Sequence, residues 1–115
     1  MSSEPKDRRA AHMLQRVVGA YAGALTARAE QIYWILADSR GLGDPRTQLA
    51  QAQSLAHSLA ATARALRFDE IRQAAANLAA AIESLRNDLE HDHWTDVEGA
   101  MVQLTRAADP HRAQA

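Results

Sequence analysis

Apolar residues recur along the chain in steps of three and four. Leu49, Ala52, Ala56, Leu59, Ala63 and Leu66 keep to one face of a helix at this spacing. An earlier stripe holds Leu14, Val18, Ala22, Leu25, Ala29, Ile32 and Leu36. A later one holds Ile71, Ala75, Leu78, Ile82, Leu85 and Leu89, and a last one Trp94, Val97, Met101 and Leu104. No stretch alternates with the period of two that marks a half-buried strand. The pattern predicts helices over about residues 7–38, 45–66 and 70–90, and a last one that runs to about residue 108. Gly19 and Gly23 are where a short N-terminal helix would part from a longer one, each costing about 1 kcal/mol against alanine inside a helix.

The breaks carry their own chemistry. Ser39-Arg40-Gly41-Leu42-Gly43-Asp44-Pro45 is the clearest. Gly41 or Gly43 suits a left-handed helix end, Asp44 an N-cap and Pro45 a first helical position. Asp69 is placed to cap the third helix, with Phe68 stapling the turn against the Arg72 stem or the adjoining core. Asp92 or Thr95 would cap the fourth, and Pro110 stops it. Short connections between long amphipathic helices make antiparallel neighbours, so the fold class is all-α, an up-down four-helix bundle. Residues 1–6 read as a flexible lead, 7–108 as one helical-bundle domain and 109–115 as a flexible tail.

Composition narrows the function classes. The chain has 115 residues, enough for one domain that buries roughly two-thirds of its unfolded surface. It contains no cysteine, which removes disulfides, thiolate metal sites and thiol nucleophiles. Thirteen basic against 14 acidic residues give a formal charge of −1, which argues against binding nucleic acid by phosphate neutralisation. The opening residues lack the apolar core of a signal peptide, and no apolar run approaches the roughly 20 residues that cross a bilayer. A cytoplasmic domain is expected, as a monomer in preference to a dimer. There is no glycine-rich phosphate loop, so no nucleotide site is expected and no cofactor.

One histidine stands out by position. His57 follows Ala56, so it lies beside the apolar seam of the second helix. Its helical neighbours are Gln53, Ala60, Ala61 and, one turn further, Arg64. Neutral imidazole is the good nitrogen nucleophile near pH 7, with a reference pKa of ~6.5. The alanines leave room for an incoming phosphoryl group. Arg64 offers a guanidinium to phosphoryl oxygens and Gln53 a hydrogen bond. The plain alternative is a solvated surface histidine on an alanine-rich helix. His91 and His93, with Asp92 and Asp96, raise the thought of a metal, but residues two apart on a helix diverge and no third ligand converges, so no metal is assigned. Glu83 with Arg86, or Arg86 with Glu90, are expected as ordinary surface ion pairs. Tyr21, Tyr33 and Trp34 are expected in core and rim packing.

Ala56-His57-Ser58-Leu59-Ala60-Ala61-Thr62-Ala63-Arg64-Ala65-Leu66-Arg67-Phe68-Asp69-Glu70-Ile71, together with Ala74-Ala75-Ala76-Asn77-Leu78, resembles the histidine-containing phosphotransfer (HPt) domain. The likeness covers about residues 18–106. That family's motif is His-x-Leu-Lys-Gly, then two small residues, then an apolar residue and a glycine before a turn. His57, Leu59, Thr62, Ala63 and Leu66 match it. Ala60 replaces the lysine that assists the phosphoryl group, Ala61 the glycine beside the histidine, and Arg67 the glycine near the turn. The resemblance implies a four-helix bundle that carries phosphate on His57 between response-regulator receiver domains, or from a hybrid histidine kinase. The receiver supplies the carboxylate and the Mg²⁺, so the chain is a carrier and not an ATP-dependent enzyme. Ser58, Ala60 and Ala61 would belong to the docking surface. The departures leave open a degenerate bundle, or a structural adaptor, that binds a partner without transfer.

Overall fold

The structure, a computed structural model, describes residues 4–109; before residue 19 it describes the side chains of Arg9, His12, Met13 and Arg16 alone. Within these residues the chain is four helices: α1 (Glu4–Ser39), α2 (Arg46–Ala65), α3 (Asp69–Asn87) and α4 (Trp94–Ala107). They form a four-helix bundle. α2 packs most extensively on α3, α3 on α4 and α1 on α2, while α1 touches α4 sparingly. The seams α2/α3 and α4/α1 therefore lie on opposite sides.

The stripes close one core. Leu25, Ala29, Ile32 and Leu36 from α1 meet Leu49, Ala52, Ala56, Leu59 and Ala63 from α2. α3 brings Ile71, Ala75, Leu78, Ile82 and Leu85, and α4 brings Val97, Met101 and Leu104. Leu66, Leu89 and Trp94 are only partly buried at the margins. Leu14 and Val18 lie outside the described side chains. Alanines fill much of the seam, which lets the helices approach closely.

Several local readings change. α1 is continuous through Gly19 and Gly23, so there is no separate N-terminal helix, and residues 4–6 are helical, not a lead. A glycine weakens a helix without ending it unless the backbone turns left-handed, and no described glycine does. Residues 1–3 and 110–115 of the expected lead and tail lie outside the described residues. Neither Gly41 nor Gly43 ends α1 in a left-handed conformation. Instead the buried Ser39 hydroxyl donates to the Leu36 carbonyl at 2.8 Å, and the Leu42 amide donates to Ser39. Pro45 precedes α2 at the cap position, while the Asp44 carboxylate accepts from the Arg46 amide at 3.2 Å. Phe68 and His93 hold the cap positions of α3 and α4 without side-chain cap bonds. Asp69 falls in the first turn of α3, and Asp92 accepts from the Thr95 hydroxyl, so neither Asp69, Asp92 nor Thr95 caps.

The α2–α3 turn is the one strained point among the described residues. Arg67 has φ +63°. The Phe68 amide donates to Ala63 and the Arg67 amide to Arg64, which is the paired closure of a Schellman end. Phe68 is half-buried against the adjoining core, but from the cap position and not from the residue before it.

Tyr21, Tyr33 and Trp34 are exposed, against the expectation of core and rim packing. Tyr33 and Trp34 follow Ile32 by one and two positions, which turns them off the α1 stripe. They meet each other edge to face, with ring centroids 5.1 Å apart. At the far end of α1, Arg40 pairs with Glu98 and stands over the Trp94 ring, tying the loop to α4.

Candidate functional site

His57 sits in the middle of α2, one residue past the fully buried Ala56 and so about 100° off the seam. Its side chain is exposed and has no hydrogen-bond partner among the described residues. α2 is well formed around it, with no proline or glycine, and the alanines on both sides favour helix. The ring is thus presented from a rigid mount to open solvent.

The neighbours are only partly as read from the sequence. Ala61 is exposed and Ala60 half-buried at the edge of the core, so both leave space beside the ring. Ser58 is exposed, about 100° around the helix from His57. The Ser58 carbonyl accepts from Thr62, one turn on, and the Thr62 hydroxyl accepts from Arg28 of α1 at 3.2 Å. Thr62 thus faces the α1 seam, while the Ser58 side chain stays exposed beside His57. Arg64 is exposed, with no ion pair among the described residues. It stands seven residues from His57, about 10 Å along the axis.

Gln53 differs most from its reading. It is 9% exposed, and its Oε1 accepts from Arg86 Nη1 of α3 at 2.5 Å. The carbonyl end of the amide is therefore engaged, and the residue is an anchor as much as a donor. Arg86 is also the residue that sequence reasoning missed. Spacing predicts a pair with Glu83 or Glu90; among the described residues Arg86 makes neither pair and crosses the seam to Gln53. Local spacing sees partners three and four residues away on one helix. It cannot see that α3 lays Arg86 beside Gln53.

A second polar cluster closes the α3–α4 turn. His91 Nδ1 lies 2.5 Å from Asp88 Oδ2, and the His91 amide donates to Asp88 Oδ1 at 3.3 Å. His93 Nε2 lies 3.5 Å from Asp88 Oδ2, and its Nδ1 3.9 Å from Asp96 Oδ2. Burial pushes the Asp88 carboxyl upward, but the bonds from the His91 amide and from the two imidazoles outweigh it and hold the group below its ordinary value. Among the described residues no group of three or more His, Asp and Glu side chains is arranged to hold a metal ion. The cluster is a polar staple across a tight turn.

A groove of about 700 Å³ runs along the α1/α4 seam, lined by Tyr33, Leu36, Trp94, Val97, Met101 and Val102 among others. None of the residues around His57 lines it; the two features occupy opposite seams. No helix among the described residues is long and apolar enough to cross a membrane. No family model, curated protein or solved structure matches this chain.

Proposed function

We propose that the chain is a phosphoryl carrier of the HPt kind, taking a phosphoryl group on His57 from one receiver domain, or from a hybrid histidine kinase, and handing it to another receiver. The observation that carries this reading is an exposed imidazole on a rigid helix, without a hydrogen-bond partner among the described residues and flanked by alanines. In the forward step an imidazole nitrogen forms a P–N bond, the P–O bond of the aspartyl phosphate breaks, and the receiver keeps its carboxylate. The reverse step at a second receiver restores the imidazole. The chain supplies position and positive charge, and the receiver supplies the acyl leaving group and its own Mg²⁺. Such a carrier works in the cytoplasm and has no need of ATP.

The test is uptake of acid-labile phosphate from phosphorylated receiver domains, read by intact mass. Phosphate on the wild type and none on His57→Gln supports the reading. Equal uptake by the variant overturns it. A second reading, a partner-binding adaptor without transfer, is favoured by the exposed Tyr33 and Val102 that line the α1/α4 groove. It predicts receiver or other partner binding that His57→Ala leaves intact.

A further inference from the structure

We infer that Arg86, reaching over from α3 and anchored by Gln53, is the cation that holds the phosphoryl oxygens on His57. The inference rests on the phosphoryl-carrier reading and deepens it by naming the group that stabilises the transferred charge. A phosphoryl group on nitrogen brings two negative charges or nearly so, and a guanidinium matches its oxygens with a fork of N–H donors. α2 offers no cation within one turn of His57, because Ala60 and Ala61 occupy the adjoining positions.

Two arginines remain as candidates, and the bond to Gln53 distinguishes one of them. Side chains on a helix lean toward its N-terminus and cover the preceding turn. The His57 ring therefore leans over the turn that carries Gln53, and Arg64 leans back over Ala60 and Ala61. Arg86 is already at Gln53, through the 2.5 Å bond from its Nη1 to Gln53 Oε1. It also comes from the last turn of α3, where the helix dipole favours a cation.

The two arginines also differ in preparation. Arg86 is exposed, with no carboxylate paired to it among the described residues, so its other N–H groups are available. The amide that fixes it is nearly buried and belongs to a well-packed helix. Arg64 has no such anchor and must freeze a long side chain at the moment it binds, an entropic loss Arg86 has largely met already. Gln53 is then a positioning residue for Arg86, and the missing motif lysine is replaced across the seam and not along α2.

Phosphoramidate tests this without a receiver. The imidazole lone pair forms the new P–N bond, the donor's P–N bond breaks, and the nitrogen leaves as ammonia. Uptake rates are followed by intact mass at several donor concentrations for the wild type, His57→Gln, Arg86→Gln and Arg64→Gln, with a thermal melt of each. The expected result is an Arg86→Gln rate about 10- to 100-fold below wild type, the loss of one charge-assisted bond, with Arg64→Gln close to wild type. An Arg86→Gln rate equal to wild type, or no slower than Arg64→Gln, overturns the assignment while leaving the carrier reading intact. A wild type that takes no phosphate on His57 overturns both. A readout on the wild type covers the case in which Arg86→Gln folds poorly. The Arg86 Nε–H signal in the NMR spectrum should shift on phosphorylation more than that of Arg64, and an unmoved Arg86 signal also overturns the proposal.

Discussion

Arg67 shows how much a single dihedral can decide. At φ +63° it occupies the position where a Schellman turn favours glycine, and the HPt pattern that the sequence resembles has a glycine near this turn. A side chain there is strained, partly offset by the lower chain entropy of a non-glycine residue. Arg67→Gly should raise stability by about 0.5–1 kcal/mol, measurable as a higher urea midpoint. Leu59 is fully buried, so Leu59→Ala should cost roughly 2–5 kcal/mol; an unchanged melt would refute the seam. Asp88 bears on pH. Its carboxyl is held low in the folded state, so its contribution is present above the unfolded value of about 4 and is lost as pH falls through the lower folded value. The stability gap between wild type and Asp88→Asn should therefore be open at neutral pH and close on acidification, as followed by urea titration across that range. His57, Ala61 and the buried stripe were legible at this scale because each follows from spacing on one helix. Arg86 was not, since its partner is 33 residues away in sequence.

At the scale of the element, the stripes set which helices form and which face each buries, but the ends depended on detail. Asp44 and Asp69 both stand near helix starts, as N-terminal signals should, yet neither fills the role assigned to it. Backbone geometry in the short turns selects the cap, and several residues at each break are chemically eligible. Glycine proved a poor divider in α1 for the same reason: its cost is spread along a long helix and ends it only with a left-handed turn. Gly99 gives a clean check. It is exposed within α4, and a Cβ built on it meets nothing within 4 Å. Gly99→Ala should therefore stabilise the bundle by up to about 1 kcal/mol, a rise of roughly 4–8 °C in melting temperature.

For the whole molecule, the unequal seams matter most. α1 has 36 residues where α4 has 14, and the described chain extends 66 Å along one axis against 20 and 19 Å on the others. Among the described side chains the buried core begins only at Leu25. A chain starting at Gly19 should therefore keep the melting temperature of the full chain, and a marked fall would show that the early part of α1 contributes to the core. The sparse α1/α4 contact leaves the groove beside Tyr33 and Met101, held at one end by Arg40 with Glu98 and Trp94. Tyr33 lines that groove and stays exposed, while Trp34 is turned off the α1 stripe.

The sequence alone determined the four helices, their buried faces, the all-α class and the exposed setting of His57. Each of these follows from periodicity within one element, where neighbours are set by 3.6 residues per turn. The tertiary structure alone decided that Gln53 is a buried anchor, that Arg86 bonds across the seam to Gln53 and not to Glu83 or Glu90, and that α1 and α4 part to leave a groove. Those facts depend on how two helices are aligned along and around each other, and no pattern within either helix encodes that alignment.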